Sequence, residues 1–427
     1  MKAAILTVGT EILFGEITNT NTVYLSRRLN DIGIDVMYHY TVGDNPGRLA
    51  EMIETSLRDC DIVITTGGLG PTQDDMTKEI ACQVMGDELV MHGDILESIR
   101  SRMLAYKAVM TDNNIKQALL PSRCRVFYND AGTAPGFALD RPACAEGSGS
   151  DRRQWIACLP GPPKEMTRMF ERSVMPWLEE LTEGCLVYKE IRTFGIGESD
   201  LETVLLPLID GQTDPTIATY AKNGECSVRI ASKRESREEA ASAVDEMIAK
   251  AKEYIGQYIY STEGEEYPVV VGNMLMSRNI TIAAAESCTG GLFGAALTDV
   301  PGISAVFDRS LVTYSNQAKM DELGVKAETL EKYGAVSEQT AVEMAEGVRL
   351  KTGTDIGVSV TGIAGPDGGT EEKPVGLVYI GLSLSEAVCG KKGGETLYRK
   401  IDRRIKDRQR NRRHAVLSMF DMIYRNV

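Results

Sequence analysis

Histidine is almost missing from this chain: His39, His92 and His414 are the only three among 427 residues. Two fall in the first part of the sequence and one in an arginine-rich terminal segment, so a Ser-His-Asp triad is not expected. Any activated hydroxyl must find another base. Long apolar runs are missing too. None approaches the roughly 20 residues that span a bilayer, and the longest, such as Asp61–Thr66, have the length of a buried strand. Met1-Lys2 runs directly into the strand-like Ala3–Val8 rather than into a signal peptide. A cytoplasmic protein with no membrane partner is the expectation. The nine cysteines, scattered from Cys60 to Cys389, form no CxxC pair and no zinc spacing. That odd number favours reduced, buried thiols over a disulfide framework. Positive charge is in deficit, with a net charge of −14, which argues against direct nucleic-acid binding. One run is the exception: Arg399 to Arg413 holds nine Lys/Arg. It reads as a solvated helix face or as an anion clamp. No short-period repeat and no low-complexity tract is present.

What is there is an ordinary globular composition, 43% apolar and 25% charged, long enough for two to four domains of ~150 residues. Residues 1–180 alternate strand and helix patterns: strand Ala3–Val8, helix Asn21–Leu29, strand Asp35–Val42, helix Gly47–Arg58, strand Asp61–Thr66. A continuous apolar strand of the last kind is covered on both faces. The alternation implies an α/β domain with a parallel sheet and ligands at the strand C-termini. The polar insert Cys144–Asp151 reads as a surface loop. Trp155–Leu159 reads as a further strand, followed by a helix that opens on Pro162-Pro163. Residues 186–260 form a small α+β module, with strands Tyr188–Phe194, Thr216–Ala221 and Cys226–Ala231 and helices Ser199–Ile209 and Ser236–Tyr254. Ser261–Glu266 is the best linker. From 268 to 427 the pattern returns to α/β.

Two constellations carry chemistry. In the C-terminal part, Ala285-Glu286-Ser287-Cys288-Thr289-Gly290-Gly291 joins a short apolar strand to the helical Leu292–Leu297. Ser287 sits at that turn, with backbone N–H groups of Thr289, Gly290 and Gly291 beside it as an oxyanion or phosphate cradle. Taken alone, Ser287 is a helix N-cap, Lys319 a surface lysine and Tyr314 a core residue. Taken together, with histidine scarce, Lys319 or Tyr314 is the available base, a partly desolvated lysine being neutral enough to serve. The Gly-rich Val360-Thr361-Gly362-Ile363-Ala364-Gly365-Pro366, again after a strand, suits a close approach to phosphate.

In the N-terminal part, the strand ending at Thr66 enters Gly67-Gly68-Leu69-Gly70-Pro71-Thr72-Gln73-Asp74-Asp75. Glycines there favour a pyrophosphate, and Asp74 or Asp75 could bridge Mg²⁺ or a similar divalent metal to it. Adjacent residues do not share a helix face, so only one of the two carboxylates would point at the ligand. Gly9-Thr10-Glu11 and Gly43-Asp44-Asn45 are expected on the same sheet edge, with Glu11 and Asp44 as further metal ligands.

These residues resemble the CinA family of competence/damage-inducible proteins. The C-terminal match rests on Ala285–Gly291, Thr313-Tyr314-Ser315-Asn316, Gly334-Ala335-Val336-Ser337, Val360–Pro366 and Lys373-Pro374-Val375-Gly376. The N-terminal match, similar to the MoaB/MogA molybdopterin-binding fold, rests on Gly9-Thr10-Glu11, Asn19-Thr20-Asn21, Gly43-Asp44-Asn45, Gly67–Thr77, Gly132–Gly136 and Leu159–Pro163. Phe194–Ser199 carries it through the middle module. The resemblance implies a C-terminal nicotinamide-nucleotide amidase that converts nicotinamide mononucleotide to nicotinate mononucleotide and ammonia without a cofactor. Ser287 would be the nucleophile, Tyr314 and Lys319 its activators, and Arg408, in Lys406-Asp407-Arg408, the arginine of the family's Gly-Asp-Arg segment. Asn21, Asn45, Gly67, Gly68 and Gly70 would bind substrate in an N-terminal metal-dependent ADP-ribose pyrophosphatase that yields AMP and ribose 5-phosphate. A homo-oligomer that scavenges pyridine nucleotides is the resulting expectation. Two other readings are a pterin-binding or adenylylating N-terminal module, and a non-enzymatic adaptor for competence or DNA-repair proteins.

Overall fold

The N-terminal strand β1 (Lys2–Val8) is buried at every position but its first, and β3 (Ile62–Thr66) at all of its positions. Strands without a solvated face need helices on both sides, and these have them. The structure is a computed structural model that describes residues 1–105, 110–141, 143, 152–182, 184–222 and 224–427. The expected surface loop Cys144–Asp151 lies outside the described residues. Strands β1, β2 (Asp35–Val42), β3, β4 (Arg125–Phe127), β5 (Gly136–Arg141) and β6 (Gln154–Leu159) form one sheet in the order β2-β1-β3-β6-β5-β4. The first four strands of that order are parallel; β5 and β4 add antiparallel pairs at the far side. Helix α1 (Thr20–Asp31) packs Leu25 and Leu29 against one face, together with Met166, Phe170 and Trp177. Helix α2 (Pro46–Asp59) and helix α3 (Thr77–Val84) bring Leu49, Ile53, Leu57 and Ala81 to the other. The result is three layers, and the parallel register sends the connections after β1, β2 and β3 to one sheet edge.

By its contacts the chain divides into two compact units, Met1–Val187 with Lys233–Ala241, and Tyr188–Ser232 with Ser242–Val427. A second sheet has the order β8-β9-β7-β10, built from β7 (Cys185–Thr193), β8 (Thr216–Ala221), β9 (Cys226–Arg234) and β10 (Ile259–Ser261). Helix α4 (Pro163–Met169) precedes β7, α5 (Glu198–Ile209) lies between β7 and β8, α6 (Arg237–Ile255) between β9 and β10, and α7 (Tyr267–Arg278) follows β10. The segment expected as a linker is pinned rather than free. Ser261 ends β10 and its Oγ accepts from the N–H groups of Glu263 (3.2 Å) and Glu265 (3.3 Å), while Arg192 Nε donates to Gly264 O at 3.2 Å.

The C-terminal sheet runs β12-β11-β13-β14-β15, from β11 (Ile282–Glu286), β12 (Phe307–Val312), β13 (Ile356–Gly362), β14 (Leu377–Leu384) and β15 (Glu395–Asp402). The first three are parallel and β14 and β15 antiparallel. Phe293 and Leu297 of helix α8 (Leu292–Thr298) pack on one face with Met419, Phe420 and Ile423 of helix α11 (Arg408–Asn426). Met344 and Val348 of helix α10 (Glu338–Thr352) cover the other, with Leu323 of helix α9 (Asn316–Leu323). The basic run is therefore not one helix face. It is divided among the end of β15, a connection over 403–407 and the first turns of α11, because the alternating Thr396-Leu397-Tyr398-Arg399 pairs with β14 as an edge strand. Among the described residues no helix is long and apolar enough to cross a membrane.

Candidate active site

In the parallel register Glu286 stands level with both Val312 and Val360. Ser287 and Thr313 therefore leave β11 and β12 at the same edge, level with Thr361 near the end of β13. Ser287 N–H donates to Val360 O at 3.0 Å, and Thr313 N–H to Glu286 O at 2.8 Å, which fixes these strand ends to each other. Ser287 is not the helix cap: Gly291, at φ 95°, takes that position before α8, a left-handed conformation that glycine tolerates.

Lys319 lies in the first turns of α9, which Ser315 opens by accepting the Ala318 N–H at 3.0 Å. Rather than a surface lysine it is 1% exposed. Its Nζ has three partners: Ser287 Oγ at 3.1 Å, Thr313 O at 2.7 Å and Tyr314 O at 3.2 Å. Burial pushes its pKa below the ordinary lysine value, because a charged ammonium loses its hydration there. As an ammonium, its three N–H groups match these three acceptors; as a neutral amine, with two N–H bonds on the carbonyls, it would turn its lone pair to the Ser287 hydroxyl. Tyr314 reaches this cluster only through its main-chain carbonyl. Its side chain is 61% exposed, not core, and its hydroxyl accepts from Arg408 Nη2 at 3.2 Å. Of the two expected activators, the structure brings the lysine alone to the serine hydroxyl.

The glycine-rich segment after β13 lies next to the same edge. Thr361 Oγ1 donates to Ala335 O at 2.7 Å, tying Gly334–Ser337 to it, and Arg408 Nη1 donates to Gly365 O at 2.9 Å. A Cβ on Gly362 would stand 2.7 Å from Leu377 O, so its glycine serves the closeness of β13 to β14 rather than a ligand.

The expected cradle of three N–H groups needs correction. Gly290 N–H is bonded to Ser287 O at 3.1 Å. Gly291 N–H is taken by the Glu286 carboxyl, which also accepts from Phe293 N, Gly294 N and Ser310 Oγ. Glu286 is fully buried and satisfies the helix N-terminus from within, so α8 offers no anion site. Among the described residues, only the N–H groups of Cys288 and Thr289 in this turn find no internal acceptor. Sequence reasoning missed Glu286, although an acid one residue before the turn and close to a helix N-terminus is a recognisable signal. It also missed Asn411 and Arg412 of α11. Asn411 Nδ2 donates to Ala364 O (3.0 Å) and Ile405 O (2.6 Å), and Arg412 reaches Cys288 O (3.1 Å) and Thr289 O (2.6 Å).

The second candidate site is a cleft of about 580 Å³ in the N-terminal unit, lined among others by Glu11, Asn21, Asp44, Gly67, Gly68, Gly70, Asp74, Asp75 and Gln117. Gly67 and Gly68 have φ of 105° and 67°, and a Cβ on them would meet Val8 O at 2.2 Å and Thr77 Oγ1 at 2.1 Å. Asn21 Nδ2 holds Thr66 Oγ1 (2.9 Å) and Gly161 O (2.7 Å). Asn45 is not among the lining residues; its side chain caps α2 by accepting from Arg48 N at 3.0 Å. The proposed metal ligands share the cleft but do not converge. The Asp44 carboxylate accepts from Thr10 N and Oγ1 and that of Asp75 from Thr72 N and Oγ1, while Asp74 is exposed. Among the described residues no group of three or more His, Cys, Asp or Glu is placed to hold a metal ion. The side chains do not fit a preformed divalent cage.

Comparison with known proteins agrees with the three-part layout. Residues 4–180 match the probable molybdopterin binding domain, residues 188–261 the damage-inducible protein CinA KH domain, and residues 265–427 the CinA C-terminal domain. A competence-damage inducible protein of Acetivibrio thermocellus is 51% identical over 427 residues, covering 100% of this chain and 99% of its own. A CinA-like protein of Dictyoglomus turgidum is 46% identical over 427 residues, again covering 100% and 99%. Among solved structures, the competence/damage inducible protein CihA of Agrobacterium tumefaciens is 39% identical, covering 37% of this chain and 94% of that one, with a TM-score of 0.34. The chain belongs to the CinA family of competence-damage inducible proteins, with a MoaB/MogA-like molybdopterin-binding domain, a KH domain and a CinA C-terminal domain.

Proposed function

We propose that the C-terminal domain is a serine amidase that hydrolyses the carboxamide of nicotinamide mononucleotide. The observation that carries this reading is the buried Lys319 Nζ, 3.1 Å from Ser287 Oγ and, among the described residues, otherwise bonded only to two carbonyls. As Ser287 Oγ attacks the amide carbon, its proton passes to the Lys319 lone pair. The tetrahedral oxygen takes its charge beside the N–H of Cys288, the donor next to the nucleophile. Lys319 then returns the proton to the departing nitrogen, ammonia leaves and an acyl-serine remains. A water molecule, deprotonated by Lys319, attacks that ester to give the nicotinate product and restores Ser287. Arg408, which forms no ion pair among the described residues, stands at the rim with Tyr314 and supplies positive charge for the nucleotide phosphate. Release of ammonia from nicotinamide mononucleotide, absent in Ser287→Ala and Lys319→Met, is the test. A wild-type rate equal to the blank would remove the reading.

For the N-terminal cleft the reading is a pyrophosphate-bearing nucleotide, ADP-ribose, split into AMP and ribose 5-phosphate. A cleft of about 580 Å³ is in the range that encloses a small ligand, and Gly67 and Gly68 allow close approach of the backbone. AMP formation with and without Mg²⁺, in wild type and in Asp74→Ala, tests it, and absence of AMP in every arm leaves a binding module.

A further inference from the structure

Each carbonyl that follows the nucleophile is held, and the holder of two of them is a side chain from the other end of the domain. Ser287 O accepts from Gly290 N–H at 3.1 Å. Cys288 O accepts from Arg412 Nε at 3.1 Å and Thr289 O from Arg412 Nη2 at 2.6 Å. In a trans peptide the C=O and the next N–H point in opposite directions. With Ser287 O pinned toward Gly290, the Cys288 N–H must point the other way; with Cys288 O pinned toward Arg412, so must the Thr289 N–H. These are the two N–H groups of the turn that no acceptor among the described residues uses. Both peptide planes flanking Cys288 are thus fixed, one by the turn itself and one by Arg412.

Resting on the amidase reading, we propose that Arg412 is a positioning residue for the oxyanion-binding turn: it fixes the Cys288–Thr289 peptide, so that the Thr289 N–H is set beside that of Cys288 before substrate arrives. Three features favour this over a general packing role. Arg412 has no carboxylate partner among the described residues, so its charge is spent on the two carbonyls. Its fork matches two adjacent carbonyls in a way that a lysine point charge cannot. A charge-assisted bond to Cys288 O also polarises that peptide's own N–H, the free Thr289 N–H, into a stronger donor. Asn411, on the same turn of α11, instead holds Ala364 O and Ile405 O, away from the nucleophile.

The test uses the full chain with Arg412→Gln, Arg412→Lys and Arg412→Ala, and Asn411→Ala for comparison. On nicotinamide mononucleotide, Arg412→Gln should lower kcat by about 10²-fold, the order seen when an oxyanion donor is lost, with KM within about threefold. The acid limb of the pH profile should stay in place, because Lys319 is untouched. Arg412→Lys should recover only part of the rate, and added guanidinium should partly rescue Arg412→Ala but not Asn411→Ala. A neutral fluorophosphonate, which places a P=O in the oxyanion position of the Ser287 adduct, should label Arg412→Gln more slowly by a similar factor. A raised KM with unchanged kcat would overturn the proposal and make Arg412 a substrate contact. So would an unchanged kcat, or a shifted acid limb with no guanidinium rescue. If wild type releases no ammonia yet labels at Ser287 faster than Arg412→Gln, the substrate is wrong and the positioning role stands. If wild-type Ser287 does not label, both fall.

Discussion

Replacing Glu286 with glutamine should loosen the nucleophile turn by an amount the hydrogen bonds allow one to work out. Glu286 is fully buried, and its two oxygens take four donors. Oε2 accepts from Gly291 N (2.9 Å) and Phe293 N (3.1 Å), and Oε1 from Gly294 N (2.9 Å) and Ser310 Oγ (2.7 Å). A glutamine keeps one oxygen with its two bonds and turns the other position into an NH₂. If the amide nitrogen takes the Oε1 position, Ser310 can rotate and accept, but Gly294 N–H is left facing a donor. An unsatisfied buried N–H costs ~1–3 kcal/mol, and the remaining bonds lose their charge assistance. The total is about 3 kcal/mol, or roughly a hundredfold in a local opening equilibrium. Hydrogen exchange resolved over residues 287–297 measures this directly, since that segment opens locally when its anchor weakens. The expected result is roughly hundredfold faster exchange there, little change in the N-terminal unit, and a lower kcat for amide hydrolysis. Exchange within threefold of wild type would refute the claim that Glu286 carries the turn.

Three further outcomes follow from the same structure. Lys319→Met should lower kcat/KM by ~10²–10⁴, and in wild type the rate should rise with pH as the buried, depressed Lys319 becomes neutral; a Lys319→Arg enzyme that retains activity would contradict the base assignment. Gly67→Ala should destabilise the N-terminal unit by roughly 3 kcal/mol, from a Cβ 2.2 Å from Val8 O at φ 105°, read as a lower Tm for the unit that holds both tryptophans. His414 is driven from 6.5 down to about 4, first by burial and then by Arg403 and Arg399. Its folded pKa being the lower one, the unfolded chain binds the extra proton, so stability is kept above pH 6.5 and lost as pH falls toward 4. The unfolding free energy of wild type minus that of His414→Phe should therefore drop by about 2 kcal/mol between pH 7 and pH 5; a flat difference would show that the imidazole is solvated.

The sheet edge was readable from the sequence for a physical reason. Periods of apolar residues report burial, so β1, β3, β11 and β13 stood out, and parallel α/β connectivity then obliges their C-terminal loops to share an edge. Ser287, Lys319 and the Gly67–Asp75 loop could be named on that basis. What a side chain does inside such an edge depends on neighbours far away in the chain. Nothing near Tyr314 in sequence says that its hydroxyl turns outward to Arg408 while its carbonyl turns inward to Lys319. The basic run misled because β15 is an edge strand with charged residues on its open face, and its period is hidden by arginine.

The scarcity of histidine and the burial of Lys319 are connected. A lysine at its ordinary pKa is protonated near neutral pH and is no base, so a serine amidase without histidine requires a lysine stripped of water and of carboxylates. Thr313, Tyr314 and Ser287 provide that setting with carbonyls and a hydroxyl alone. The nearest carboxyl in sequence, Glu286, is engaged by three main-chain N–H groups and Ser310. That engagement serves two ends: it closes the helix terminus, and it keeps an acid that would otherwise raise the lysine pKa bonded elsewhere. Glu286→Gln should then leave the acid limb of the pH profile where it is while lowering kcat. A limb that moved to lower pH in that variant would mean that Glu286 had been holding the proton on Lys319.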